Sequence, residues 1–431
     1  MATKTITETP PRTAARAYRV LHVLDHSWPV MSGYSVRSRS LVRAEHQLGF
    51  APQVVTGPLH ELDDAQSADN VVDDVQYKRT PLRPGFASRA IAGRWPVLRE
   101  AAVVRTFRQR ILEILKSEPF DIVHAHSPAL CGLAARQAAR AAGLPFVYEI
   151  RAFWEDAAVD QDKTQQRALR YKVSRRMETH VVENADAVVG IARHILVDLE
   201  GRGIPRDKLF HVSNGVDTDR FVPLARDVRL ASELGLNDDI TFGFAGSLYK
   251  YEGISWLVRA IAELRRRGTP CHLLILGDGE DVPAITAAIE ETGARDYVHY
   301  LGRVPHDQMQ RYYSVIDVAV YPRKSIRLTE LVTPLKPLET MSQAKAVLGS
   351  RVGGIAELVE HEKTGLLFKP EDVDDFCVQA KRLAEQPSLR KDLGITARET
   401  MQRERDWKVV AQQYESVYEF AAAQHDGRKR N

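Results

Sequence analysis

The strongest constraint on the fold is an alternation of short apolar runs with helical stretches. Six runs rich in β-branched residues lie between positions 18 and 215, among them YRVLHVL at 18–24 and DIVHAH at 121–126. Helical segments such as 35–49 and 131–144 lie between most of them. Continuous apolar runs are typical of strands that are buried on both faces of a parallel sheet. The alternation therefore predicts a doubly wound α/β domain.

The pattern starts again after a polar stretch at 225–239, and 431 residues are enough for two or three folded units. We therefore expect two Rossmann-like domains that face a central cleft, with ligands bound at the carboxyl ends of the strands. Residues 58–95 are expected to form a long excursion with at most a short hairpin. The expected division is a disordered tail at 1–17, a first domain at 18–220, a second domain at 221–404, a helix at 405–424 that crosses back to the first domain, and a polar end at 425–431.

Composition narrows the class of protein. Lys and Arg number 60 against 57 Asp and Glu, and a net charge of +3 is too small for whole-surface nucleic-acid binding, so we expect no nucleic-acid partner. Three widely spaced cysteines, Cys131, Cys271 and Cys377, form neither a disulfide framework nor a metal knuckle. The chain lacks an 18-residue apolar run and an apolar signal-peptide segment. These features predict a cytoplasmic protein.

One local run of charge stands out. The stretch from Lys163 to Arg176 contains six cations and no acid. A basic, partly amphipathic helix can lie against an anionic bilayer, which would make the protein peripheral at the inner face of the membrane. A solvated helix face is the alternative and the more usual explanation of such a run.

The most informative segment runs from Arg323 to Gly354. Its turn, Thr333-Pro334-Leu335-Lys336, opens a predicted helix from Pro337 to Gln343. A Pro-started helix with a nearby Lys can bind an anion through its N–H groups and macrodipole. Glu339, one turn into the helix, can accept hydrogen bonds from a vicinal diol such as a ribose. An ordinary helix with a solvated Lys and Glu explains the spacing equally well.

Motifs along nearly the whole chain resemble, in order, those of the retaining nucleotide-sugar glycosyltransferases of family 4, which have the GT-B fold. They include FDIVHAHSP, ADAVVGIA, HVSNGVDTDRF, LLILGDGE and TPLKPLE. The variants TELVTPLKPLE and YEIRAFWED most resemble the exopolysaccharide and exosortase-associated members. The resemblance implies transfer of a sugar from a UDP- or GDP-type donor to a saccharide or lipid-linked saccharide, with retention of anomeric configuration.

The resemblance also assigns roles at the donor. Glu339 resembles the glutamate that holds the nucleotide ribose, and Glu330 the glutamate near the donor sugar. The two lie nine positions apart here, whereas eight is common in the family. The family's two diphosphate-binding cations are replaced by Ser247 and Glu252. The nearest cations that could compensate are Lys336, Arg327 and Arg323.

Further donor-binding and cleft residues follow from the resemblance. Gly33, preceded by Ser32 instead of a second glycine, resembles the family's N-terminal glycine loop. His126 and Arg151 are expected in the cleft, with Glu149 supporting Arg151, although a structural Glu–Arg pair is the more frequent arrangement. The other expected donor contacts are Ser247, Gly277, Gly279, Leu338, Gly353 and Gly354.

Several residue patterns argue against cofactors. GDGEDV lacks the third glycine of a dinucleotide fingerprint, so no nicotinamide cofactor is expected. His124 and His126 share a strand face but have no third metal ligand nearby in sequence, and Asp217-Thr218-Asp219 reads as a capped turn, so no catalytic metal is expected. Two other functions stay open at this point: a nucleotide-sugar epimerase of the same architecture, and a non-catalytic nucleotide-binding subunit of a polysaccharide assembly.

Overall fold

The computed structural model describes residues 17–60, 69–82, 96–156, 169–236, 239–305 and 308–430. The expected tail at 1–17 therefore lies outside the described residues except for its last position. Two separate sheets, each covered by helices, account for most of the described chain. All three cysteines are buried and unpaired.

The first sheet has eight strands in the order β3-β4-β2-β1-β5-β6-β7-β8. All pairs are parallel except the β3–β4 hairpin, which falls within the predicted excursion at 58–95. The strands are β1 Arg19–Leu24, β2 Ala51–Thr56, β3 Asn70–Val72, β4 Val75–Lys78, β5 Ile122–His126, β6 Phe146–Ile150, β7 Ala187–Gly190 and β8 Leu209–His211. The helices are α1 Gly33–Gln47, α2 Pro96–Ser117, α3 Ala129–Ala142, α4 Leu169–Glu183 and α5 Arg193–Gly201.

The second sheet has six parallel strands in the order β11-β10-β9-β12-β13-β14. The strands are β9 Ile240–Ala245, β10 Cys271–Leu276, β11 Val298–Tyr300, β12 Val318–Tyr321, β13 Ala346–Ser350 and β14 Leu366–Phe368. The helices are α6 Val228–Glu233, α7 Ile254–Arg266, α8 Val282–Glu291, α9 Met309–Ser314, α10 Arg327–Leu331, α11 Lys336–Ser342, α12 Gly353–Ala356, α13 Val373–Glu385 and α14 Pro387–Thr400. The predicted class, two doubly wound α/β units, is confirmed.

Most predicted strands match observed ones, but the strand predicted at 208–215 is shorter. It ends at His211 because the carbonyls of Val212 and Ser213 accept hydrogen bonds from the buried Arg37 side chain instead of from a neighbouring strand. The chain is thereby released from the sheet and crosses to the second unit.

The C-terminal segment returns to the first sheet. After a π-helical turn at Met401–Arg405, helices α15 Trp407–Gln412 and α16 Tyr414–Arg430 pack their apolar side chains against residues of β1, β5 and β6. The two crossing segments pair with each other, since Val216 N–H donates to the Arg405 carbonyl over 2.8 Å. Gly215 lies where an added Cβ would come within 2.8 Å of the Trp407 ring. The two crossings therefore form one tightly packed connection.

Candidate functional site

A cavity of about 420 Å³ lies at the carboxyl edge of the second sheet, next to the segment that crosses from the first unit. It is bounded by the end of β9, by α11 and by α9. Its lining residues are Arg220, Phe221, Ala245, Gly246, Met309, Gln310, Tyr313, Lys336 and Glu339. Lys336 and Glu339, the two residues singled out by their sequence pattern, thus share one wall.

The Lys336 ammonium is held by three groups. Its Nζ lies 2.8 Å from Oε1 of Glu252, 3.4 Å from the Ser247 carbonyl oxygen and 4.8 Å from the centre of the Phe244 ring. On the other side of Glu252, Nε of Arg323 lies 3.4 Å from Oε2. A buried anion therefore stands where the family pattern has a cation, and two cations from another segment flank it.

Electrostatics keep Glu252 ionised. Its side chain is only 4% exposed, and burial alone would raise the pKa of the carboxyl. The charges of Lys336 and Arg323, together with the hydrogen bond from Lys336, outweigh burial and hold that pKa below its usual value. Glu252, Lys336 and Arg323 form one charged cluster behind the cavity wall.

Glycines allow the loops around this cluster to approach closely. At Gly246, where φ is +145°, a Cβ would collide with the Lys336 side chain. At Gly277 a Cβ would collide with the Gly246 carbonyl, and at Gly279 with the Leu248 carbonyl. Gly277 and Gly279 therefore support the loop that positions Lys336, and neither lines the cavity.

Glu339 carries an unusual ionisation. Burial raises the pKa of its carboxyl to about 7, because the positive charges of Arg220 and Lys336 offset the cost only in part. The neighbouring Leu338 is fully buried in the core, and its N–H donates to the Leu335 carbonyl over 3.0 Å. Leu338 therefore contributes packing, and its N–H is already engaged within the helix turn.

Glu330 lies in a separate, fully bonded arrangement. Its Oε1 accepts a hydrogen bond from the Ser325 hydroxyl, and its Oε2 accepts one from the Gly353 N–H, both over 2.6 Å. A Cβ at Gly353 would collide with the Glu330 carbonyl, and one at Gly354 with the Val332 carbonyl. These residues form a compact unit that fixes the loop leading to Lys336.

Arg327 is not part of the Lys336 cluster. Its Nε donates to Oδ2 of Asp156 over 2.7 Å, and its Nη2 donates to Asp198, so it bridges the two units. Although burial opposes it, hydrogen bonding and the charges of both aspartates raise the pKa of the guanidinium above its usual value. The charge of Arg327 is therefore paired across the cleft, and its assignment as a diphosphate-binding cation stays a prediction.

His126 and Arg151 lie in a buried network below the cleft, and their roles at the donor stay predictions. His126 is fully buried, and Arg151 donates from Nε to Oε1 of Glu149 over 2.8 Å. Arg37 bonds the same oxygen, and the Tyr414 hydroxyl donates to the other. Burial would raise the pKa of Glu149, but the surrounding cations hold it well below its usual value. The alternative of a structural Glu–Arg pair fits this arrangement.

The buried network also holds the N-terminal loop, because Arg151 bonds the first turn of α1. Nη1 of Arg151 donates to the Tyr34 carbonyl over 2.9 Å and to the Ser38 hydroxyl over 2.6 Å. Ser32 caps α1, and a Cβ on Gly33 would lie 3.9 Å from Leu335 of the second unit. Arg151 therefore fixes the start of α1, which brings Gly33 across the cleft to the residue before Lys336.

A third histidine, His22, joins His124 and His126, and among the residues that the structure describes only this group has metal-ligand spacing. Nη2 of Arg151 donates to Nδ1 of His126 over 2.8 Å, so Nε2 of His126 carries the proton and donates to His22 Nδ1 over 3.0 Å. His22 Nε2 then donates to Glu45 over 2.7 Å. These hydrogen bonds occupy the ring nitrogens of His22 and His126, whereas His124 bonds the Tyr418 hydroxyl through Nδ1 and leaves its Nε2 without a hydrogen-bond partner. A metal ion here would have to displace the hydrogen bonds of His22 and His126.

Asn214 is a connecting residue that sequence reasoning missed. Its Oδ1 accepts from Nη1 of Arg37 over 2.9 Å, and its Nδ2 donates to the Thr333 carbonyl over 2.8 Å. The buried network of the first unit thus reaches the turn that carries Lys336. Asn214 belongs to the motif HVSNGVDTDRF, and membership of that motif was the only sequence signal of its connecting role.

The DxD string behaves as a capped turn. Oδ1 of Asp217 accepts from the Arg220 N–H over 3.0 Å, and Asp219 pairs with Lys408 over 3.3 Å. The Thr218 hydroxyl donates to Asp406 over 2.6 Å. The string therefore stabilises the crossing segments.

Comparison with known proteins covers both halves of the chain. Residues 32–215 match the family described as Glycosyl transferase 4-like domain, and residues 239–386 match Glycosyl transferases group 1. Alpha-maltose-1-phosphate synthase of Mycolicibacterium smegmatis is 28% identical over 350 residues, 76% of this chain and 86% of that protein. Alpha-D-kanosaminyltransferase of Streptomyces kanamyceticus is 25% identical over 229 residues, 52% of this chain and little more than half, 58%, of that protein.

Among solved structures, Anabaena HepE in complex with UDP-glucose superposes with a TM-score of 0.71 at 16% identity, covering 93% of this chain and 99% of that one. Similarity at this identity establishes the fold. The two facing α/β units have the GT-B architecture.

Proposed function

The chain belongs to glycosyltransferase family 4, and from this membership we propose that it transfers a sugar from a nucleoside-diphosphate sugar to a saccharide or lipid-linked saccharide with retention of configuration. One observation carries the proposal: Lys336 and Glu339 lie on one turn of helix and line the same cavity at the carboxyl edge of the second sheet. A cation and a diol-accepting carboxylate at this spacing suit a diphosphate followed by a ribose.

The mechanism assigns charge stabilisation to Lys336. A departing nucleoside diphosphate gains negative charge as the bond from the sugar C1 to the phosphate oxygen breaks, and a fixed ammonium stabilises that charge. The departing phosphate oxygen takes the proton of the acceptor hydroxyl while the acceptor oxygen bonds to C1 on the same face. This route needs no separate protein base. The bridging contacts between the units limit the entry of water, which would otherwise hydrolyse the donor.

The donor base is proposed to be uracil, with guanine as the second choice, because a structural neighbour was solved with UDP-glucose. A panel of UDP-, GDP- and ADP-sugars tested by thermal shift, then for nucleotide release with and without saccharide acceptors, tests the proposal. We expect one class to stabilise the protein and to be consumed faster with an acceptor. Retention is read from the anomeric NMR signal of the product. No stabilisation by any nucleotide sugar would refute the proposal, and product formation without an acceptor would indicate an epimerase instead.

We also propose that transfer needs no divalent metal, since Asp217 and Asp219 are engaged in the crossing segments and the ring nitrogens of the buried His22 and His126 are hydrogen-bonded. Turnover should be the same in EDTA and in magnesium. Loss of turnover in EDTA that magnesium restores would contradict this.

The exposed surface of helix α4, in the first unit, supports the proposal that the protein associates peripherally with an anionic membrane. Helix α4 carries Arg170, Lys172 and Arg176 at its surface, next to Leu169 and Val173, which are 77% and 45% exposed. Exposed apolar side chains beside cations suit the interface of an anionic bilayer. Lys163 and Arg167 lie outside the described residues. No helix within the described ranges is long and apolar enough to cross a membrane.

Sedimentation with vesicles of phosphatidylglycerol and phosphatidylcholine at low salt tests this association. Changing Arg170, Lys172 and Arg176 to Gln should abolish sedimentation. The matched control changes Arg259, Arg266 and Arg267, on or just after α7, to Gln and should leave it intact. Equal loss in both triple variants would indicate a dependence on net charge alone.

A further inference from the structure

Glu252 lies directly behind the cavity wall, between two cations. Lys336 lines the cavity, whereas Glu252 and Arg323 are 3% and 4% exposed. The order from the cavity inward is therefore an ammonium, a carboxylate and a guanidinium. The 2.8 Å contact with Glu252 is the shortest that Lys336 Nζ makes among the described residues.

The carboxylate has two opposite effects on an anion in the cavity. A lysine side chain has four rotatable bonds, and the hydrogen bond to Glu252 fixes its ammonium against the Ser247 carbonyl and the Phe244 ring. At the same time the negative charge of Glu252, which lies one ion-pair distance behind the ammonium, repels a diphosphate in the cavity. With Arg323 included, the cluster carries one net positive charge instead of two, and poor solvent screening makes the difference large.

We propose that Glu252 is a positioning residue that fixes the Lys336 ammonium at the diphosphate site and limits the affinity of that site for the departing nucleoside diphosphate. The inference rests on the proposed function, because it concerns the same anion. Glu252 would then do more than mark the absence of a cation. By weakening the binding of the nucleoside diphosphate product, it permits release of that product after transfer.

A double-mutant cycle tests the inference, with UDP as the titrated probe and GDP if the donor screen selects it. The dissociation constant is measured by calorimetry for the wild type, Glu252→Gln, Lys336→Gln and the double variant. We expect Glu252→Gln to bind UDP about tenfold more tightly and Lys336→Gln about tenfold more weakly, as expected for one unit charge at a poorly screened site. The double variant should return to within about threefold of the wild type, since the two charges then cancel together.

The control is Glu291→Gln, which removes one negative charge and a surface ion pair with Arg259 on the same unit. Its UDP affinity should equal that of the wild type. The inference would be overturned if Glu252→Gln bound UDP no more tightly than the wild type. It would also be overturned if the double variant bound UDP as weakly as Lys336→Gln does. If the wild type binds no nucleoside diphosphate, the proposed function itself fails.

A second variant covers the case in which Glu252→Gln does not fold. Glu252→Asp keeps the charge but withdraws it by one methylene from Lys336. UDP affinity should then stay within about twofold of the wild type, while kcat falls about tenfold through misplacement of the ammonium. A wild-type kcat in Glu252→Asp would overturn the positioning role.

Discussion

The raised pKa of Glu339 makes donor binding depend on pH in a calculable way. To accept hydrogen bonds from both ribose hydroxyls, the carboxyl must be ionised, whereas burial raises its pKa to about 7 in the free protein. From that value the ionised fraction is about 0.9 at pH 8 and about 0.1 at pH 6. The dissociation constant of UDP-glucose should therefore rise about tenfold from pH 8 to pH 6.

UDP-glucose suits this measurement because its diphosphate is a diester and stays fully ionised across the range. Calorimetry at half-unit pH steps gives the profile, and Glu339→Gln measured in parallel removes contributions from other groups. The variant should bind more weakly at pH 8 and show a flat profile. A wild-type profile that is flat, or that tightens as pH falls, would refute the assignment of an ionised Glu339 to the ribose.

The same ionisation predicts an effect of opposite sign on stability. The folded-state pKa of Glu339 lies above the usual value of 4.5, so its contribution is complete below pH 4.5 and is lost as pH rises through about 7. The full loss is on the order of 2 to 3 kcal/mol, allowing for water in the cavity. The Glu339→Gln variant has no carboxyl to ionise and so avoids this loss of stability. Its free energy of unfolding should therefore exceed that of the wild type at pH 8 and converge with the wild-type value at pH 5.

Three further substitutions separate binding from folding. Lys336→Ala should lower kcat at least a hundredfold, the scale of a lost charge stabiliser; because it also leaves the buried Glu252 with Arg323 as its remaining cation, kcat is measured at a temperature at which circular dichroism shows the variant folded, and near-normal turnover at saturating and limiting donor would contradict the assignment. Arg327→Met leaves the buried Asp156 and the partly exposed Asp198 without their partner across the cleft and should cost about 2 kcal/mol in urea unfolding, an unchanged midpoint being the contrary result. Asn214→Asp still accepts from Arg37 but no longer donates to Thr333, so the dissociation constant of UDP-glucose should rise about fivefold at unchanged stability, and an unchanged constant would show that this link does not position the donor site.

The architecture was predictable because its signal is local. Apolar runs such as 121–126 and 240–246 identify strands by composition alone, and the observed strands Ile122–His126 and Ile240–Ala245 match them closely. The helix at Pro96–Ser117 has an equally local amphipathic pattern but is absent from the predicted elements. Right-handed crossovers restrict the connections between parallel strands, whereas the strand order depends on packing of the whole sheet.

The site was predictable only where its residues are close in sequence. Lys336 and Glu339 share a helix turn, so their spacing fitted a common ligand as well as it fitted an ordinary solvated helix, and the family resemblance favoured the ligand. Arg327 lies 171 positions from Asp156, and no local pattern indicates that pairing. His22 meets His126 because β1 pairs with β5, and that register is set by packing of the whole sheet.

The charge cluster explains why three departures from the family pattern occur together. A lysine at position 252, as in the pattern, would place a second cation against the Lys336 ammonium, so an anion there is needed once Lys336 occupies the site. Lys336 in turn needs the glycine at 246 for its stem and the Ser247 carbonyl as a second acceptor. The segment between Glu330 and Glu339, one position longer than in the pattern, contains the turn that carries Lys336. Glu252→Lys, which restores the pattern at one position only, should therefore lower donor turnover rather than improve it.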